Sequence, residues 1–176
     1  MPKIIEGARE KILETAKRRL FEKGYQHLSL REVAKESGIA TGTIYNYFEN
    51  KDYLIASIML EDWNVALERM DRACEAVSVK EGFLEICQAL YDFRDIYFGV
   101  WSQPAVAATA SVDMAERHKM LSTQIEERVI RLLKNTGYEE EMRFTLSLAE
   151  LILTSLYQQR LKEELVQIAE HMYPQK

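Results

Sequence analysis

Lys51 follows Asn50 at the head of a long predicted helix, where Asn50 is of the type that accepts the first orphan amide of a helix. A cation in that first turn opposes the helix macrodipole, so local stability gives no reason for a lysine there. A docked anion reverses the argument, because amides, dipole and ammonium then converge on it. Just before it runs ATGTIYNYFEN, Ala40 to Asn50. Thr41 and Thr43 bring hydroxyls, Asn46 an amide, Tyr45 and Tyr47 phenols, and Gly42 room for close approach. Hydroxyls and amides hydrogen-bond polar edges, and phenols reach phosphate oxygens. This set recognises rather than reacts. His27, His118 and His171 form no readable constellation, and the chain has no nucleophile elbow, phosphate-binding glycine loop or HExxH motif. No catalytic residue, metal ligand or cofactor is therefore expected, and His118 reads as a polar surface residue.

The elements that would position these groups are helical. Ile5, Ala8, Ile12, Ala16 and Leu20 form one stripe over residues 4–23, stopped by Gly24. Ser29-Leu-Arg-Glu32 is a capping box that opens a short helix to Ser37, burying Leu30, Val33 and Ala34. Gly38 stops it, and only Ile39 and Ala40 precede a third stripe from Thr41. Two short helices joined by a tight glycine-containing turn make a helix-turn-helix. Ile44 and Phe48, four apart, would anchor the third helix. The opposite face then presents Thr41, Gly42, Thr43, Asn46 and Tyr47, with Tyr45 at its flank. On that face asparagine can pair two ways with adenine and a threonine methyl can meet a thymine methyl, while Arg31 could reach a guanine. Ser29 at the same turn joins this candidate DNA-facing set.

Past Asn50 a long helix is expected over 51–76, and a second capping box, Ser78-Val-Lys-Glu81, opens the next. That helix carries Leu84, Cys87, Leu90 and Tyr91 and ends by Pro104. Residues 105–112 are alanine-rich and ambiguous; a helix over 113–134 follows, closed by Gly137. Met142, Leu146, Ala149, Leu153 and Leu156 alternate spacings of four and three, the knob positions of a helix–helix seam. Leu148, Leu151, Ile152 and Tyr157 make the same segment apolar nearly all round, so it must be buried on more than one side. In a chain of 176 residues, one side is expected to face its own core, and the seam of Met142, Leu146, Ala149, Leu153 and Leu156 a second copy.

Composition agrees with a folded all-α protein. Apolar residues make up 47% and charged residues 29%, and three prolines and seven glycines leave long stretches free of breakers. Nothing reaches the ~20 apolar residues of a membrane span and there is no signal-peptide pattern, so the expected setting is cytoplasmic. Residues 1–55 hold ten Lys/Arg against eight Asp/Glu, and residues 56–176 thirteen against twenty. The head leans basic and the body acidic, within a net charge of −5. Cys74 and Cys87 lie in no metal or CxxC spacing and read first as buried reduced thiols, with pairing on oxidation as the alternative.

LSLREVAKESGIATGTIYNYFENKDYLI, with FEKGY before it, resembles the DNA-binding segment of the tetracycline-repressor (TetR) family of bacterial transcriptional regulators. The likeness covers about residues 8–55. It implies an N-terminal three-helix head with the helix-turn-helix (residues 1–50), joined by a long helix to a C-terminal bundle (residues 51–176) that dimerises. In the family, the position of Arg31 and the face holding Thr41, Thr43, Asn46 and Tyr47 meet bases or backbone, and the positions of Tyr45 and Lys51 meet phosphate. Ala40 departs from the pattern, which often has a capping serine, so Thr41 is expected to take over that cap. A homodimer would set two recognition helices about 34–36 Å apart on a near-palindromic double-stranded operator.

The resemblance also implies a small-molecule pocket among the C-terminal helices. Trp63, Phe83, Tyr91, Tyr97, Phe98, Trp101, Met114, Met120 and Tyr157 are the candidate lining, suited to an apolar or aromatic effector. The expected function is a repressor released from DNA by that effector. The alternative is a DNA-binding regulator whose C-terminal half only dimerises or answers cysteine oxidation.

Overall fold

Gly38 takes φ 69° and ψ 20°, the left-handed conformation that ends one helix and turns the chain into the next. That turn lies in a computed structural model of the protein, which describes residues 7–101, 114–138, 143–158 and 162–174. Eight α-helices occur among them: α1 (Ala8–Lys23), α2 (Leu30–Ser37), α3 (Thr41–Tyr47), α4 (Lys51–Ala73), α5 (Val79–Trp101), α6 (Met114–Asn135), α7 (Thr145–Gln158) and α8 (Lys162–Met172). A short 3-10 turn at Tyr25–His27 links α1 to α2. The fold is all-α, as the composition and breaker spacing imply. The segment around residues 105–112 lies outside the described residues.

The caps form where the sequence places them. Ser29 Oγ accepts the Glu32 amide at 3.2 Å, Ser78 Oγ accepts the Glu81 amide at 3.2 Å, and Asn50 Oδ1 accepts the Tyr53 amide at 2.8 Å. Each satisfies an orphan donor at a helix start.

The chain divides into two compact units, Met1–Trp63 and Asn64–Lys176. The division falls inside α4, whereas the sequence reading places it at 50/51. In the first unit α1 buries Ile12, Leu13, Ala16 and Leu20, α2 buries Val33 and Ala34, and α3 buries Ile44. The first half of α4 belongs here because Leu54, Ile55 and Ile58 are buried and its acids are tied to α1. Arg9 Nη1 donates to Glu61 Oε1 at 2.8 Å, and Lys17 pairs with Asp62. Arg19 is the buried charge of this unit. Its guanidinium donates to Glu36 at 2.7 Å, to Glu32 at 3.2 Å and to the His27 carbonyl at 3.3 Å. Those partners make burial of the charge tolerable. The Arg19 hydrogen bond holds the Glu36 carboxyl below the usual carboxylate range.

In the second unit α6 packs on α7 and α5 on α8. Phe83, Ile86, Leu90 and Tyr97 of α5, Ile125, Val129 and Leu132 of α6, and Ile152 of α7 are buried. Asp71 at the end of α4 accepts from Arg128 at 3.2 Å and Arg131 at 2.9 Å on α6, and Asn135 Nδ2 donates to the Cys74 carbonyl at 2.9 Å. The seam expected to face a second copy is turned the other way: Ala149, Leu153 and Leu156 are buried inside one protomer, and only Leu146 stays exposed, at 51%. Met142 lies outside the described residues. The spacing of four and three marks a covered face, and here the chain's own helices cover it.

Two glycines of α5 give opposite expectations. A Cβ on Gly82 would lie 2.3 Å from Leu132 Cδ1 and 2.7 Å from the Ala73 carbonyl oxygen, and the carbonyl cannot turn away. Gly99 has open space around it. Gly99→Ala should therefore raise stability by about 0.5–1 kcal/mol through helix propensity. Gly82→Ala should lower it by roughly 1–2 kcal/mol, since overpacking costs more than propensity returns. Paired urea melts decide this, and a Gly82→Ala protein as stable as the parent would refute the close packing. Glu36 sets a pH expectation. Its lowered folded pKa adds stability that is present above the ordinary carboxylate value and fades as pH falls through the folded value. Melts from pH 7 to pH 3 should show a shallower acid-side loss in Glu36→Gln than in the parent, and equal slopes would remove Glu36 as a contributor.

Candidate nucleic-acid interface

The outward face of α3 is set by what faces inward. Ile44 is 0% and Phe48 1% exposed, and the Arg9 guanidinium lies 6.0 Å from the Phe48 ring centroid. The Tyr53 ring stands 6.2 Å from the same ring. With Ile44 and Phe48 held, the exposed residues are Thr41, Gly42, Tyr45 and Asn46. They form two pairs four residues apart, so they share one face. Thr43 and Tyr47 are half-buried at its flanks. Tyr45 thus belongs to the centre of the face, not its edge, while Thr43 and Tyr47 stand further back than the sequence reading put them.

Ala40 occupies the N-cap of α3, and no side chain caps the helix. Thr41 is the first residue inside α3, so it does not take over the missing cap. Ser29 caps α2, leaving its hydroxyl engaged within the fold.

Arg31 differs from every other arginine of the first unit. Arg9 pairs with Glu61 at 2.8 Å, Arg18 with Glu36 at 2.7 Å and Arg19 with Glu36 at 2.7 Å. Arg31 is exposed and forms no ion pair among the described residues. It borders an open cleft of about 450 Å³ together with Ser29, Tyr45, Glu49, Asn50 and Lys51. The fold thus brings the start of α2, the face of α3 and the start of α4 to one surface.

Lys51 requires a correction. Its Nζ donates to the Tyr25 carbonyl at 3.1 Å and lies 3.7 Å from the Tyr25 ring centroid. The Tyr25 hydroxyl donates to Asp52 Oδ1 at 2.9 Å. Burial first, and then the bond to Asp52, pushes the Tyr25 phenol up. A carbonyl and a π face therefore offset the unfavourable dipole inside the protein, and an external anion is not needed to explain the lysine. Only one of three ammonium protons is used on the carbonyl, so the group can still meet a phosphate at the cleft. Tyr25 and Asp52 were not singled out as site residues. The FEKGY segment was the only sign of Tyr25, because the contact spans 26 residues.

Of the candidate effector residues, Trp63, Phe83 and Tyr91 are buried, and Phe98 and Met120 are 44% and 50% exposed. The side chains of Trp101, Met114 and Tyr157 lie outside the described residues. The Tyr91 hydroxyl donates to Ser155 Oγ at 3.3 Å, a buried polar pair in an apolar surround. Cys74 and Cys87 are buried, and burial pushes the Cys74 thiol up, away from the reactive thiolate. His118 Nε2 and Glu150 Oε2 lie 2.6 Å apart, half-exposed, and no three metal-ligating side chains cluster among the described residues. No helix among those residues is long and apolar enough to cross a membrane.

A helix-turn-helix whose second helix presents hydroxyls and an amide beside an exposed arginine has the form of a DNA-binding segment. Residues 12–58 match the sequence profile of the bacterial regulatory proteins, tetR family. The chain is 37% identical over 60 residues to the fatty acid metabolism regulator protein of Bacillus subtilis, covering 34% of this chain and 31% of that protein. It is 34% identical over 92 residues to an uncharacterized HTH-type transcriptional regulator of the same organism, covering 52% and 46%. These matches span less than half of either relative. The fatty acid degradation regulator FadR of Bacillus halodurans shares the fold, with a TM-score of 0.58 over 96% of this chain and 97% of that one at 17% identity. Residues 12–58 are thus similar to the DNA-binding segment of the TetR family of transcriptional regulators.

The contacts of Lys51 generate a test on the free protein. Lys51→Ala removes a hydrogen bond and a cation–π contact and relieves a dipole clash, for a net loss of about 1 kcal/mol. Urea denaturation without DNA measures it; unchanged or increased stability would mean that Lys51 serves only an external anion.

Proposed function

We propose that the protein is a repressor that binds a near-palindromic operator as a homodimer, in the cytoplasm, and leaves it when a small apolar or aromatic effector binds the second unit. The observation that carries the DNA half of this reading is Arg31, an exposed arginine with no ion pair beside the outward face of α3. Free cations at a polar surface of this shape suit phosphates and base edges.

Dimerisation draws support from apolar groups left exposed on the last two helices and the turn before them. Phe144 is 53%, Leu146 51% and Ile168 38% exposed. Two copies place two recognition helices in successive major grooves. Effector binding draws support from Phe83, Tyr91 and Ser155, which combine apolar bulk with a buried hydroxyl pair, the mixture typical of ligand sites. The names of two similar proteins, regulators of fatty acid metabolism and degradation, make fatty acids and their derivatives the first ligands to try. An effector that prefers the conformation unable to bind DNA lowers operator affinity by linkage. α4 is the helix common to both units and is the route by which the second unit would act on the first.

Leu146→Glu should shift sedimentation from dimer to monomer and weaken operator binding by about 10²–10⁴-fold, because two linked half-sites become one. Retention of both the dimer and its affinity would place the interface elsewhere. In a band-shift titration, an acyl or aromatic ligand should lower operator affinity. If no member of a broad apolar panel does so, the effector half of the reading fails.

A further inference from the structure

The charged and neutral groups of the DNA-facing surface are segregated. α3, TGTIYNY, holds no Lys, Arg, Asp or Glu, and its exposed side chains are those of Thr41, Tyr45 and Asn46. Arg31 on α2 and Glu49 after α3 border the cleft at one edge of that face. The exposed Asn46 amide is engaged in no hydrogen bond among the described residues, so both of its edges are available.

In the major groove guanine is read by the paired donors of a guanidinium, and cytosine by a carboxylate that accepts from its N4 amine. Adenine is read by the donor–acceptor pair of an amide, and thymine by apolar contact with its methyl. α3 therefore carries strong partners for adenine and thymine and none for a G·C pair. Its hydroxyls can bond to either kind of pair and do not discriminate. At the edge the situation reverses, since Arg31 suits guanine and Glu49 suits cytosine.

On the reading that this surface binds duplex DNA, we infer that each operator half-site has an A·T core beneath α3, with one G·C pair at its α2 edge read by Arg31. Asn46 reads an adenine of the core, and Thr41 and Tyr45 line its thymine methyls. Specificity is thus divided between two helices, with charged base contact lying outside the recognition helix.

The test is selection of bound duplexes from a randomised pool by the full chain, followed by affinity measurements on the recovered sequence. The parent protein should enrich half-sites with consecutive A·T pairs and one flanking G·C pair. Asn46→Ala should lose preference for one adenine by about 5- to 150-fold, with the flanking G·C preference intact. Arg31→Ala should lose the guanine preference by a similar factor and keep the A·T core. Arg31→Lys should recover affinity but not guanine discrimination, because a point charge cannot make the paired contact. Both positions are exposed, so thermal melts of the variants should match the parent. Enrichment of G·C pairs through the core, or a guanine preference that survives Arg31→Ala, would overturn the inference while leaving DNA binding in place. Retention of no duplex even at low salt would overturn it together with the reading it rests on.

Discussion

The burial of Ile44 and Phe48 is the constraint on which the DNA-facing surface depends. α3 is seven residues long and has no side-chain cap, far short of the ~12–15 residues at which an isolated helix begins to hold in water. It persists because two fully buried side chains pin one side, each contributing about 1.5–3 kcal/mol of apolar burial. The same pinning sets the rotation of the helix. With Ile44 inward, Thr41, Gly42, Tyr45 and Asn46 must face out, and the groups proposed to meet DNA are aimed by residues buried beneath them.

Charges around this core are mostly consumed within it. Arg9, Arg18 and Arg19 neutralise acids of α2 and α4, and Lys51 is held by the Tyr25 carbonyl and ring. Such contacts fix the angle between helices more than they add stability, since exposed pairs are worth about 0–1 kcal/mol. Their consequence is subtraction. Once the internally committed arginines are removed, Arg31 stands out by forming no ion pair among the described residues. A sequence gives the number of cations; only the fold shows which are spent.

Much of the head was legible beforehand for local reasons. Capping boxes, glycine stops and apolar stripes act within four residues, and the caps of Ser29, Ser78 and Asn50 form as their spacing implies. The division of α3 into an inward and an outward side follows from the same periodicity. The contacts that spacing does not reveal lie across longer separations. The Lys51–Tyr25 contact spans 26 residues, so the lysine looked unexplained when its carbonyl was out of view. Residue type alone does not show which candidate effector residues are buried: Phe83 and Tyr91 are, whereas Phe98 and Met120 are exposed.

The row of Leu146, Ala149, Leu153 and Leu156 marks the boundary between the two kinds of knowledge. Sequence by itself determined an all-α chain, its capping boxes and glycine stops, the helix-turn-helix and the fact that most of this row is covered, because each rests on spacing along one helix. Only the tertiary structure decided that the chain's own helices cover Ala149, Leu153 and Leu156, that Tyr45 lies central on α3, and that Arg31 has no ion pair among the described residues. Periodicity reports that a face avoids water, but which neighbour excludes the water, and which charge finds a mate, depend on distances between helices far apart in the chain.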